Sequence, residues 1–83
     1  MLLSELRKGD QALIVRIDAE KALKERFASF GIMRGERLTV KACSIAKQTI
    51  EIEVGSTAIA LRAEEAGRIE VERVELNNQN NLL

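Results

Sequence analysis

The chain contains no histidine, and its 83 residues include a single cysteine, Cys43. Without histidine the commonest acid–base catalyst near neutral pH is missing, and with it any histidine-based triad, so an enzyme is not expected. The usual ligands for zinc, copper and ferrous iron are also nearly all absent, so neither a cofactor nor a closed metal site built by one copy is expected. One thiol cannot form an intramolecular disulfide. Aromatic residues are reduced to Phe27 and Phe30, and 13 basic residues are balanced by 13 acidic ones. Stacking platforms and a basic footprint are therefore both missing, which removes nucleic acid as an expected partner. No apolar run approaches the roughly 20 residues that cross a bilayer, and the opening "MLLSELRKGD" lacks the apolar core of a secretory signal. The expectation is a chain that does not insert into membrane and stays in the cytosol.

What is present suits one small globular domain. Apolar residues make up 46% and charged residues 31%, a balance found in folded soluble chains rather than disordered ones. A domain of this size already buries only about 60% of the surface of its unfolded chain, so one core is all it can hold. The charges are unevenly distributed along the chain. Residues 1–48 carry ten basic and six acidic residues, or +4, and residues 49–83 carry three basic and seven acidic, or −4.

Periodicity divides the chain into short elements. "QALIVRI" reads as a strand with Leu13, Val15 and Ile17 toward the core. Asp18 stands where an N-cap belongs, Glu20 follows in the first turn, and "AEKALKERFASF" spaces Leu23, Phe27 and Phe30 along one helical face. That spacing predicts core packing for both phenylalanines, the other reading being that one ring lines a partner groove. Gly31 then ends the helix through a left-handed residue, with Ile32 folding back on Phe27, and Gly35 makes a second turn before "RLTVKA" begins to alternate. "TIEIEV" places Ile50, Ile52 and Val54 on one face and Glu51 and Glu53 on the other. Gly55 and Ser56 turn the chain into "TAIALR", with Ile59 and Leu61 inward. "AEEAG" is a short helical turn, and "RIEVERVE" is a last strand with Ile69 and Val71 inward. "NNQNNLL" cannot bury enough surface to order itself, so a domain over residues 1–76 and a disordered tail over residues 77–83 are expected. The whole reads as a mainly β fold: a small five-stranded barrel with one short α-helix inserted between the first and second strands, an α+β sandwich being the alternative.

Leu6 and Gly9 ahead of "ALIVRI", then "RFASFGIMRGERLTV", then "IALRAEEAGRIEV" together resemble the FeoA family of bacterial ferrous-iron uptake proteins. The resemblance runs in order over residues 3–74 and implies an SH3-like barrel. It further implies a cytosolic accessory to the large FeoB-type membrane transporter, which carries a GTP-binding portion on the cytosolic side. Two features depart from the family pattern. Arg34 stands where a proline commonly precedes the second glycine, and "CSIAKQT" has neither the proline nor the glycine usual in that hairpin, so the turn around Ala46–Gln48 is undefined. The same module also closes iron-dependent repressors, but no helix-turn-helix segment is found in this chain.

The expected function is a non-enzymatic protein-interaction module that docks on the transporter's cytosolic portion and modulates its assembly or its GTPase-coupled transport. The expected contact residues are Phe30, Ile32, Met33, Arg34 and Arg37, with Gly31 and Gly35 shaping the turn. Arg34 and Arg37 form a basic lip suited to an acidic partner surface, or else a solvated turn. The alternative is a metal-responsive, transition-metal-binding regulatory module in which several copies pool carboxylates and Cys43. Glu51, Glu53, Glu70 and Glu72 invite a hard-cation reading, although acids alternating on outward strand faces serve solubility. An exposed edge strand also leaves room for a weak homodimer.

Overall fold

Residues 1–74 are described by the structure, a computed structural model. The end of the expected domain at residue 76 and the expected tail over residues 77–83 lie outside the described residues. Five strands form: β1 (Gln11–Ile17), β2 (Arg37–Cys43), β3 (Thr49–Val54), β4 (Thr57–Arg62) and β5 (Ile69–Val74). A nine-residue helix, α1 (Lys21–Ser29), lies between β1 and β2, and a four-residue helix, α2 (Ala63–Ala66), joins β4 to β5. The strands make one antiparallel sheet in the order β4-β3-β2-β1-β5. This is the mainly β architecture expected.

The sheet curls because two strands carry an extra residue. Register shifts between Ile14 and Arg16 in β1 and between Val40 and Ala42 in β2, and such bulges bend a strand and increase its twist. The concave face closes on a core that includes Leu3, Leu6, Ala12, Ile14, Phe27, Ile32, Leu38, Val40, Ile52, Leu61, Ile69 and Val71. No polar or charged side chain is buried with them among the described residues. Fully burying a side chain such as Ile52 or Leu61 is worth about 1.5–3 kcal/mol, so this apolar cluster supplies the fold's main stabilisation.

β3, β4 and β5 present the faces read from the sequence, with Ile50, Ile52, Val54, Ile59, Leu61, Ile69 and Val71 all buried. β1 does not. Its buried residues are Ala12 and Ile14, while Leu13 and Val15 are only partly covered. An almost unbroken apolar run has no alternation to mark its inner face, and a one-residue error in parity exchanges the faces. Ile17 does pack against the core, because the bulge after Ile14 adds one residue and returns an odd-numbered side chain to the side of Ala12 and Ile14.

The helix also starts later than expected. Glu20, not Asp18, is the N-cap, and no side chain caps it. Asp18 is instead engaged through its backbone, its N–H donating to the carbonyl of Arg68 at 2.8 Å. That bond ties the end of β1 to the approach to β5, and residues 18–20 stay outside both strand and helix, with Glu20 extended. In the β2–β3 connection, Ala46 and Lys47 both adopt left-handed backbone angles, with φ of 63° and 54°. Each such non-glycine residue costs about 1–2 kcal/mol. The Lys47 ammonium donates to the carbonyls of Leu6 at 2.6 Å and Ser4 at 3.3 Å, which holds the strained turn against the N-terminal segment.

α2 is secured by Glu65. Its carboxylate accepts from the N–H of Arg62 at 2.9 Å and from the Arg26 guanidinium. The backbone bond, more than the arginine, holds the carboxyl below its ordinary value of 4.5, and partial burial opposes it. A carboxyl with a lowered folded-state pKa stabilises the fold fully above its unfolded value and loses that contribution as pH falls through the folded value. Glu65→Gln should therefore be less stable than the parent at neutral pH, with the gap closing as pH drops below about 4.5. Urea midpoints measured across that range check this, and a gap independent of pH would refute it.

Candidate functional site

The abrupt corner after α1 organises the most shaped part of the surface. Gly31 has φ +86°, its N–H donates to the carbonyl of Ala28 at 3.0 Å, and the N–H of Ile32 donates to that of Phe27 at 2.9 Å. These two bonds are the Schellman pattern, in which a left-handed residue satisfies the carbonyls of the last turn. Ile32 is thereby carried into the core beside Phe27, and both are fully buried. A second turn follows at once. The N–H of Glu36 donates to the carbonyl of Met33 at 3.1 Å, and Gly35 with φ +92° occupies the third position, where a type II turn needs a positive φ. Arg34 holds the second position without proline. The Gly35 N–H and the Glu36 carbonyl bond both backbone groups of Ile14 at 2.8 and 2.9 Å, which fixes the corner onto β1.

This geometry sorts the expected contact residues. Phe30 is 38% exposed and Met33 45% exposed, and Arg34 and Arg37 are also exposed. Ile32 is not available: at 0% exposure it belongs to the core, because the glycine cap turns it inward. The expectation that Phe30 packs beside Phe27 also fails. Phe30 is the C-cap residue, and Ile32, redirected by Gly31, is the side chain carried into the core.

Two recesses flank Met33. One is an open groove of about 630 Å³ between α1 and the end of β1, lined by Val15, Arg16, Ile17, Lys24, Ala28, Ile32, Met33 and Arg34. The other, about 350 Å³, lies between Phe30 and the β3–β4 turn and includes Glu36, Val54, Gly55 and Thr57. Arg37 lines neither, so the two arginines of the basic lip do not border the same recess. Arg34 borders the groove, whereas Arg37 stands at the start of β2 opposite Leu13. Val15, Arg16, Ile17, Lys24 and Ala28 were not anticipated. The one usable signal was the i,i+4 spacing of Lys24 and Ala28 on the helix face, but the bulge that turns β1 toward that face leaves no mark in sequence.

The carboxylates do not converge. Glu51 and Glu53 lie on β3 and Glu70 and Glu72 on β5, with β2 and β1 between those strands. Glu53 pairs with Lys41 at 3.8 Å and Glu70 with Arg16 at 3.9 Å. Among the described residues no three cysteine or acidic side chains gather as a metal site, and Cys43 is half-buried against the core. No helix of the described residues is long and apolar enough to cross a membrane.

Comparison with known proteins places the chain in a wider group. A putative Fe(2+) transport protein A of Campylobacter jejuni is 39% identical over 71 residues, which cover 86% of this chain and 96% of that protein. An Fe(2+) transport protein A/Fe(2+) transporter FeoB fusion protein of Porphyromonas gingivalis is 35% identical over 77 residues, covering 93% of this chain but only 9% of the fusion. The crystal structure of Stenotrophomonas maltophilia FeoA complexed with zinc, described as a procaryotic SH3 domain protein, superposes with a TM-score of 0.76 at 30% identity. That match covers 87% of this chain and 89% of the other, and it agrees with the SH3-like barrel expected from sequence. The FeoA domain model matches residues 1–73. Fold and sequence thus converge, and the chain belongs to the FeoA domain family.

Proposed function

We propose that this protein is a cytosolic, non-enzymatic accessory of ferrous-iron uptake that docks on the cytosolic portion of a FeoB-type transporter and modulates its assembly or GTPase-coupled cycle. The observation that carries this reading is the Porphyromonas gingivalis fusion, in which a related segment and FeoB share one polypeptide. Covalent linkage raises effective concentration to the millimolar range, a device suited to a weak docking contact. The corner supplies such a contact, since Phe30 and Met33 offer apolar surface beside the exposed Arg34 and Arg37.

Calorimetry of the full chain against the purified cytosolic portion of the transporter tests the proposal, with and without guanine nucleotide. Micromolar association is expected, weakened several-fold by Phe30→Ala or Met33→Ala; no association up to high micromolar concentration would overturn it. The zinc complex of the Stenotrophomonas relative favours a second reading, a metal-responsive module. The donors here do not suit a resident zinc ion, with no histidine, one half-buried cysteine and dispersed carboxylates. Titration with ferrous, manganous and zinc ions should accordingly give no stoichiometric heat, and a stoichiometric signal would favour the second reading.

A further inference from the structure

We infer that the groove between α1 and the end of β1 is a docking slot for an acidic, partly apolar segment of a protein partner. The inference deepens the interaction reading above by naming the surface and the chemistry it selects. The groove's lining is apolar where Val15, Ile17 and Met33 meet and cationic where Arg16, Lys24 and Arg34 stand, and no carboxylate lines it. On a chain with zero net charge, a recess whose charged lining residues are all cations is a local concentration of one sign. The cations are also free to act. Arg16 makes only a long 3.9 Å contact with Glu70 across solvent-exposed side chains, and Lys24 and Arg34 have no ion-pair partner among the described residues. The neighbouring recess at the other end of α1 has the opposite balance, with Asp18 and Glu20 against Arg68.

The strand beneath contributes as well. β1 pairs with β2 only over Gln11–Leu13, and past Ile14 no backbone hydrogen bond joins Val15–Ile17 to the corner or to α1 among the described residues. Because β2 begins only at Arg37, opposite Leu13, this stretch keeps its partner β5 on one side and borders the groove on the other. A partner segment can therefore set apolar side chains on the floor and carboxylates against the rim. Charge complementarity of this kind chiefly sets partner choice and on-rate. Single-stranded nucleic acid, the other common polyanion, fits poorly, because the groove has no aromatic side chain on which bases could stack.

The test uses a dye-labelled peptide in which aspartate and glutamate alternate with leucine and valine, and a counterpart carrying asparagine and glutamine in place of the acids. Fluorescence anisotropy with the full chain should show binding of the acidic peptide at least about tenfold tighter than its neutral counterpart. That preference should fade as salt shortens the Debye length to about 3 Å at 1 M. The triple variant Arg16→Gln, Lys24→Gln, Arg34→Gln should lose the preference, and Lys24→Glu, which leaves Arg16 and Arg34 in place, should weaken it without reversing it. Equal affinity for the two peptides, an unaffected triple variant, or an oligothymidylate bound as tightly as the acidic peptide would each overturn the assignment. The transporter portion separates this inference from the broader reading. If it binds the triple variant as well as the parent, the groove assignment falls and association stands. If the acidic peptide binds selectively but the transporter portion does not bind, association falls and the groove stands.

Discussion

Phe27→Ala should lower folding stability by about 3–5 kcal/mol, the usual cost of removing a buried aromatic ring. Phe27 is fully buried, it is the only residue of α1 that is, and the Schellman bond delivers Ile32 to the same region. Its loss would leave a cavity that a curled sheet cannot collapse to fill. Small domains hold only about 5–15 kcal/mol in total, so the variant should be marginally folded at room temperature and fully unfolded in mild urea. Phe30→Ala, three residues away but 38% exposed, should stay within about 0.5 kcal/mol of the parent. Urea denaturation followed by far-ultraviolet circular dichroism checks both. Equal losses at the two positions would mean that the helix buries a different face.

Gly31→Ala should cost about 1–2 kcal/mol. The source of the cost is well isolated here. A Cβ at this position would meet nothing nearer than a Val54 methyl at 3.9 Å, an ordinary contact, whereas φ +86° is strained for any side-chain-bearing residue. The loss is therefore conformational rather than steric. Gly31→Asn should recover part of it, since asparagine is the next most tolerant residue in the left-handed region. The same measurement decides: midpoints in the order glycine, asparagine, alanine support a left-handed cap, and no difference among the three would remove it. Because the cap seats Ile32, the alanine variant should also expose more apolar surface, read as increased binding of a hydrophobic dye.

How much of this was legible beforehand varies with the physical signal. Where acids alternate with aliphatics, as at Ile50–Val54 and Ile69–Glu72, the faces of the strands could be read directly, and the structure buries those same side chains. Gly31 and Gly35 were legible because only special backbone angles place glycine at such points, and both have positive φ. β1 was not, because "ALIV" offers apolar residues to both faces and the bulge at Val15 is decided by pairing with β5, 55 or more residues later. Phe30 was misplaced since helical spacing assumes that the helix continues, and the cap ends it there. Of the exposed residues at the corner, Met33 and Arg34 could be anticipated from their place between two turns. The groove they border could not, as its opposite wall comes from residues 15–17 and 24–28, brought together only by the tertiary fold.

The strand order β4-β3-β2-β1-β5 sets the last described strand against the first. During synthesis β1 can find β2 early, but only through the three residue pairs of Gln11–Leu13. The far longer ladder from Gln11 to Ile17 awaits Ile69–Val74. Until those residues emerge from the ribosome, the open flank of β1 exposes Ile14 and an unpaired backbone. Closing so distant a contact is slow compared with local hairpins such as β3–β4, and unpaired flanks of this kind are where nascent chains associate wrongly. The wiring of the barrel thus delays closure of its β1 flank until β5 has been made, with the β2–β3–β4 meander assembled first and the N-terminal strand locked in last.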